Sequence, residues 1–224
     1  MAVIIDNSQR ALKKYEAEPL AIKSQGGKFA QDFYSPFGPQ IAKARLSDTL
    51  IEQLNSQVDA EFSRNESLQS GREVILPDSL VSAGGDASLG YILAQHIMGY
   101  AEETEGQKVK SLEYETLWAV SQYANTPSPM HFHSTDISGV FYLKVPELNE
   151  SEACEQTRNY IGGRKAGYLN FMTGGKQAFN KSLMSVKPEV GDLYIFPGWL
   201  LHGVEAFAGE GERRSVAFNA NVTF

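Results

Sequence analysis

The second half of the chain, from Leu112 onward, consists of short runs rich in β-branched and aromatic residues. This feature constrains the possible folds more than any other. Turn-forming residues separate the runs, and Pro127, Pro129 and Pro188 all fall between them. Such spacing is typical of an antiparallel sandwich or small barrel. The runs are EYETLWAVSQY, SGVFYLKV, GYLNFM, LMSV, GDLYIF, HGVEAF and RSVAFNANV.

Two helices are predicted before these strands. Ser47 or Asp48 is a suitable N-cap for the first, which runs to about residue 62 because apolar residues recur at helical spacing. The second covers roughly residues 88–103 and has one apolar side. Residues 65–87, between the two, are rich in Ser, Gly and Asp and are predicted to form a long loop.

Helices first and strands second, within one chain of this length, indicate a single α+β domain whose helices pack against a β-sandwich. The loops 65–87 and 146–166 are expected to frame the entrance of a site and to set its specificity. The expected division of the domain over 1–224 is an irregular arm and lead-in strand at 1–35, helical support at 36–110, and the β core at 111–224.

Composition argues against several classes of protein. With 20 Lys+Arg against 27 Asp+Glu the net charge is −7, which disfavours nucleic-acid binding because phosphates need clustered cations. A single cysteine, Cys154, cannot form an internal disulfide, which favours a reducing compartment. No apolar run is long enough for a membrane span, and the N-terminus lacks a signal-peptide core. We therefore expect a cytoplasmic protein without membrane or nucleic-acid partners.

Three of the four histidines lie in the β-rich half. His131 and His133 are two residues apart, so on an extended chain both side chains leave the same face. His202 follows about 70 residues later, after an apolar run. Three imidazoles with open positions beside them would suit iron, zinc, copper or nickel. The alternative is that these are strand-end residues satisfied by ordinary hydrogen bonds.

The last predicted strand carries an arginine and a serine on one face. Arg213, Ser215, Ala217 and Asn219 alternate along it, and Arg214 is on the opposite face, where we expect an ordinary surface residue. An arginine in a pocket offers a planar fork to a carboxylate, and a hydroxyl adds a further donor. The alternative is a solvated basic step in an acidic turn.

Together, His131-x-His133, a gap of about 70 residues and His202-x10-Arg213-x-Ser215 resemble the signature of the Fe(II)- and 2-oxoglutarate-dependent oxygenases. The surrounding residues resemble a bacterial and phage group of that superfamily. The resemblance covers roughly residues 112–224. The segments that carry it are HFH followed by SGVFYL, and GDLYIFPGWLLHGV followed by ER and FN.

The resemblance implies a double-stranded β-helix (jelly-roll) core over 111–224, with N-terminal helices packed against it. It implies that Fe(II) is bound by His131 and His202, and that 2-oxoglutarate is the co-substrate. Arg213, helped by Ser215, would hold the distal carboxylate of 2-oxoglutarate. The implied activity is a dioxygenase that hydroxylates a peptide side chain or a small metabolite.

The third iron ligand departs from the family pattern, since His133 occupies a position that is usually a carboxylate. Either three histidines hold the iron, or Asp136 or a water replaces His133. We favour His133, because Asp136 is an odd number of residues from both histidines and would point away on an extended chain. Tyr123, on the strand leading to the histidine pair, is a further candidate for binding 2-oxoglutarate.

The alternative class is a cupin-like three-histidine metal protein that does not use 2-oxoglutarate, or a binding or structural relative. Fold alone does not separate these classes. The pair Arg213-x-Ser215 favours the oxygenase, because a protein without a keto-acid co-substrate has no use for that carboxylate grip.

Overall fold

The structure is a computed structural model that describes residues 31–34, 38–64, 72–82, 84–147, 167–175, 178 and 181–224. Most of the predicted N-terminal arm, most of the 146–166 loop, and Cys154 lie outside these residues. Within the described part of the chain, none of the helices is both long and apolar enough to cross a membrane.

Both predicted helices are confirmed. Helix α1 spans Asp48–Arg64, and the Ser47 hydroxyl accepts a hydrogen bond from the backbone N–H of Leu50 at 3.4 Å. Helix α3 spans Leu89–Glu105, with Ser88 as its N-cap and Gly106 in the left-handed conformation at its end. The buried side chains of α1 are the ones with helical spacing in the sequence: Leu50, Ile51, Leu54, Val58 and Phe62.

The prediction of a long loop over 65–87 is wrong for its described part. Residues Arg72–Ile75 form strand β3, and Asp78–Ser82 form a short helix, α2, before one 3-10 turn at Gly85–Ala87. Strand β3 is only four residues long and pairs with residues 118–121 of the longer strand β4, Ser111–Gln122. The segment is short and its neighbours in sequence are polar, so it shows no apolar–polar alternation from which a strand could be predicted. The strand forms because it pairs with β4.

The described residues contain eleven strands: β1 Gln31–Tyr34, β2 Ile41–Arg45, β3 Arg72–Ile75, β4 Ser111–Gln122, β5 Ser128–His131, β6 Ile137–Lys144, β7 Leu169–Met172, β8 Leu183–Val186, β9 Asp192–Pro197, β10 Leu201–Val204 and β11 Arg213–Thr223. They form two antiparallel sheets. The major sheet has the order β1-β2-β9-β6-β11-β4-β3, and the minor sheet has the order β5-β10-β7-β8. The predicted α+β double-stranded β-helix is thereby confirmed.

The major sheet has a different core on each face. One face packs against α1 and α3, and its buried side chains include Leu117, Phe141 and Val216. The other faces the minor sheet across a smaller aromatic cluster that includes Tyr142 and Phe196. The long strands β4, β6 and β11 lie side by side in this sheet, so their inward residues form a rigid floor beneath the minor sheet.

Gly139 on β6 is required by the ring of Phe218, its register partner on β11. A Cβ at Gly139 would lie 2.1 Å from the Cζ of Phe218, whose side chain is fully buried. We expect Gly139→Ala to lower the free energy of unfolding by about 1–3 kcal/mol, because the ring has to move out of a packed core. Urea unfolding measures this loss. The control is Gly175→Ala, where a Cβ meets nothing within 4 Å, and equal stability of the two variants would contradict the packing argument.

His96 on α3 makes stability depend on pH. Its side chain is buried, and burial lowers its pKa from 6.5 to about 4. Between pH 6.5 and 4 the His96 imidazole is therefore protonated in the unfolded chain but neutral in the folded chain. The free energy of unfolding consequently falls as the pH falls through that range. The loss is up to about 3 kcal/mol. His96→Asn should flatten this dependence in urea unfolding series at several pH values, and an unchanged slope would contradict it.

Candidate metal centre and its cavity

The structure brings His131, His133 and His202 together. One ring nitrogen from each lies within 4.8 Å of those of the other two. His131 ends β5 and is the direct register partner of His202 on β10, while His133 follows in the turn after β5. The ring centroids are 4.4 Å apart for His131 and His202, 5.1 Å for His131 and His133, and 5.3 Å for His133 and His202. Such a cluster is compact enough for one ion to bind all three rings.

Backbone carbonyls orient two of the three imidazoles. The Nδ1 atom of His131 lies 2.6 Å from the carbonyl oxygen of Pro129, and the Nδ1 atom of His202 lies 2.8 Å from that of Leu200. A carbonyl only accepts, so in the neutral rings Nδ1 carries the hydrogen and Nε2 keeps its lone pair. Metal-binding histidines commonly donate the N–H of the nitrogen that does not bind the metal to a carbonyl or carboxylate in this way, which fixes the orientation of the ring.

The electrostatic surroundings favour the neutral forms of His133 and His202. Burial lowers the pKa of His202 to about 4, against a smaller opposing effect of the Leu200 carbonyl. Burial and the neighbouring His131 both lower the pKa of His133. Neutral imidazoles are the form that binds a metal, so these donors fit a divalent transition ion such as iron.

Asp136 lies in the turn that follows His133, and its carboxylate is used elsewhere. Its Oδ2 accepts a hydrogen bond from the backbone N–H of Val222 at 3.0 Å, and its own backbone N–H donates to Asn221 at 3.2 Å. The structure does not bring this carboxylate into the group of candidate ligands formed by the three histidines. Its two hydrogen bonds instead link the turn to the end of β11.

A cavity of about 230 Å³ connects the histidines to the last strand. It lies between the two sheets, and the side chains of Arg213 and Ser215 line its far end. Both residues are buried, and Arg213 is only 1% exposed. The predicted alternation of β11 is thus observed, since Ala217 and Asn219 line the same cavity.

Arg213 is held by neutral acceptors alone in the described part of the chain. Its Nε and Nη2 atoms donate to the Gln122 side-chain oxygen at 3.2 and 2.6 Å. Its Nη1 donates to the carbonyls of Gly167 and Glu205 at 3.3 and 3.1 Å. Burial lowers its pKa, yet a guanidinium remains charged at neutral pH. A buried cation without a described carboxylate partner fits an anionic ligand in the adjoining cavity.

Tyr142 on β6 is a cavity residue that the sequence analysis missed. Its hydroxyl is buried and has no hydrogen-bond partner among the described residues, and it is the register partner of Ser215. A buried hydroxyl without a partner is costly, so a ligand that accepts its hydrogen bond would be stabilised. Its run, SGVFYLKV, signals only a strand. The position beside Ser215 depends on the register between β6 and β11.

Tyr123 is not brought to this cavity. Its side chain is 47% exposed and lines a separate surface depression with Phe62 and Arg214. The neighbouring Gln122 faces the cavity instead, as do Trp118 and Val120, because side chains alternate along β4. Tyr123 is therefore one residue out of phase with the side of β4 that faces the cavity.

Arg214 differs from the expected surface residue. It is only 5% exposed, and it forms ion pairs with Glu212 at 2.7 Å and with Asp59 of α1 at 2.7 Å. The guanidinium also lies 5.6 Å from the ring centroid of Phe62. The correction arises because α1 covers the opposite face of β11 at this position, so Arg214 is buried as Arg213 is.

Comparisons with known proteins give one family-model match and several similar solved structures. Residues 116–219 match the family model described as "Putative 2OG-Fe(II) oxygenase". No curated protein matches the chain. Among solved structures, HygX from Streptomyces hygroscopicus, with nickel and 2-oxoglutarate bound, is similar at a TM-score of 0.56 and 13% identity, over 84% of each chain.

Two further solved structures have the same fold. The non-heme alpha ketoglutarate dependent carbocyclase SnoK from nogalamycin biosynthesis is similar at a TM-score of 0.54 and 13% identity, over 84% of this chain and 81% of that one. A Pseudomonas putida prolyl-4-hydroxylase is similar at 0.51 and 12% identity, over 80% and 91%. Similarity at these identities establishes a shared fold, which by itself does not specify the substrate.

Proposed function

We propose that this chain is an Fe(II)/2-oxoglutarate-dependent oxygenase, and that it hydroxylates a C–H bond of a small molecule or a peptide side chain while 2-oxoglutarate is decarboxylated. The observation that carries the proposal is one cavity with neutral imidazoles at one end and the uncompensated charge of Arg213 at the other. A metal protein without a dianionic co-substrate would have no use for that charge. The proposal treats residues 1–224 as one oxygenase domain.

His131, His133 and His202 are proposed to hold Fe(II) through their Nε2 atoms. The two carbonyl contacts at Nδ1 fix the ring orientation before the metal binds. When bound, iron and 2-oxoglutarate would supply the activation of dioxygen: oxidative decarboxylation of 2-oxoglutarate to succinate and CO2 provides two of the four electrons that reduce O2, and the substrate C–H bond provides the other two. The chain itself would supply the three imidazole ligands.

Arg213, Ser215 and Tyr142 are proposed to bind the distal carboxylate of 2-oxoglutarate. Arg213 contributes charge, and the two hydroxyls come from adjacent strands at one level of the sheet. Their burial excludes water from this end of the cavity, which strengthens each charge-assisted hydrogen bond. The co-substrate is thereby oriented with its keto-acid end toward the histidines.

Because the side chain of Gln122 is neutral, it is expected to leave the positive charge of Arg213 available for the carboxylate of 2-oxoglutarate. Gln122→Glu places a carboxylate against Arg213, so the side chain would compete with 2-oxoglutarate for the guanidinium. We expect 2-oxoglutarate affinity to fall about tenfold or more. Calorimetric titration of the Fe(II)-loaded protein under anaerobic conditions measures it. An unchanged affinity would show that Arg213 is not the carboxylate-binding group.

The proposed function is tested by anaerobic titration of the Fe(II)-loaded protein with 2-oxoglutarate. Chelation of the metal by the keto acid produces a metal-to-ligand charge-transfer band in the visible region, which we expect to saturate at one equivalent. The matched control is Glu52→Gln, a surface change on α1 that should leave the titration unchanged. Absence of the band at saturating 2-oxoglutarate would reject the oxygenase.

A further inference from the structure

We infer that Glu73 and Trp118, at the mouth of the histidine cavity, bind an ammonium or guanidinium group of the substrate. The mouth is defined by the side chains of Glu73, Ile75, Thr116, Trp118 and Asn219. This inference rests on the proposed function and specifies its substrate class: a compound with a cationic head on an aliphatic stem.

The register of the major sheet places these residues in line with the co-substrate site. Tyr142, Ser215, Val120 and Glu73 are successive partners on β6, β11, β4 and β3, and their side chains leave the same face. Glu73 therefore lies two strand spacings from Ser215, roughly 10 Å along the row. It is far enough from the carboxylate-binding end to contact a second molecule rather than 2-oxoglutarate.

Trp118 joins the mouth to the histidines. Its ring packs edge-on to His133 with the centroids 5.9 Å apart, and it lines both the 230 Å³ cavity and an adjoining shallow cavity of about 330 Å³. An indole attracts cations through the negative potential of its ring face. A cationic group held by Glu73 against Trp118 would thus keep the rest of the substrate close to the histidines.

Glu73 has the charge and the freedom to act as the anionic partner. It lines both cavities, its side chain is exposed, and it forms no hydrogen bond or ion pair with any other residue that the structure describes. A carboxylate at the rim of a substrate cavity selects for a positive group and repels a negative one. The net charge of −7 adds long-range attraction for cations.

The exposed side chain of Ile75 is the reason that we expect the substrate to have an aliphatic stem. It is the register partner of Trp118 and is 72% exposed, so the two side chains present an apolar strip between Glu73 and the histidines. The methylene chain of a lysine or arginine side chain, or of an alkyl amine, covers such a strip while its charged end stays at the rim. The carbon atoms of the stem would then lie on the side of His133.

The test uses the Fe(II)·2-oxoglutarate protein under anaerobic conditions, so that binding is measured without turnover. The cationic probes are Nα-acetyl-lysine methylamide, its arginine counterpart, and the diamine cadaverine. The neutral probe is the norleucine counterpart of the first. We expect at least one cationic probe to bind about tenfold more tightly than the norleucine probe in calorimetry. Tighter binding of the blocked amino acids identifies a peptide source and tighter binding of cadaverine a metabolite; either supports the inference.

Glu73→Gln should abolish this preference and leave the affinity for 2-oxoglutarate unchanged. Glu52→Gln removes the same charge from the exposed surface of α1 and should keep the preference, which separates a local contact from the overall field. The inference is overturned if no cationic probe binds more tightly than the norleucine probe, or if Glu73→Gln retains the preference. Failure of 2-oxoglutarate itself to bind would reject the proposed function instead.

Discussion

Replacing His133 with alanine is expected to lower Fe(II) affinity by about 100-fold or more, since the loss of a direct ligand exceeds the 10–100-fold typical of outer partners. His133 contributes one of three ring nitrogens within 4.8 Å of one another, and burial keeps its ring neutral. Competition with a chromophoric chelator under anaerobic conditions measures the affinity. His133→Asp should restore much of it, because a carboxylate oxygen also binds Fe(II).

Asp136→Asn is the matched control for this ligand assignment. It should leave metal stoichiometry and affinity near those of the unaltered chain, since the carboxylate accepts the Val222 N–H and does not face the histidines. Its effect should appear in the free energy of unfolding, because the amide weakens the link between the turn and β11. Normal metal binding by His133→Ala, together with loss in Asp136→Asn, would show that the carboxylate is the ligand.

Arg213→Gln is expected to weaken 2-oxoglutarate binding by more than about 2 kcal/mol, equivalent to a factor of about 30. The substitution removes the buried charge at the far end of the cavity, and the amide cannot reproduce the fork. Metal affinity without co-substrate should change little, because Arg213 does not contact the histidines. Anaerobic calorimetry and the visible charge-transfer band both report the loss.

The control for Arg213 is an arginine on the outside of the sheet. Arg45→Gln removes the same charge from a side chain that is 56% exposed and forms long ion pairs with Glu189 at 3.6 Å and with Asp192 at 3.8 Å. It should bind 2-oxoglutarate normally. Arg214 is unsuitable for this purpose, since its ion pairs with Asp59 and Glu212 connect α1 to β11 and its loss would destabilise the fold. Equal co-substrate affinities in Arg213→Gln and Arg45→Gln would contradict the assigned role.

Local patterns in the sequence were sufficient for much of this architecture. The apolar spacing of α1 depends only on the helical repeat, and the parity of β11 depends only on strand alternation, so both could be predicted without a partner. The same parity predicted that Arg213 and Ser215 share a face. The spacing of His131 and His133 likewise predicted two side chains on one side, and the register between β5 and β10 then added His202.

Only the tertiary structure decided which neighbours meet. Tyr142 lies beside Ser215, and Glu73 lies in line with both, through pairings between strands far apart in sequence. Gln122 rather than Tyr123 reaches Arg213 because the inward phase of β4 is set by its partner strands. Arg214 is buried because α1 folds back over β11. Side-chain periodicity is a property of one segment, whereas register, phase and burial depend on the segments packed against it, and no single segment encodes those.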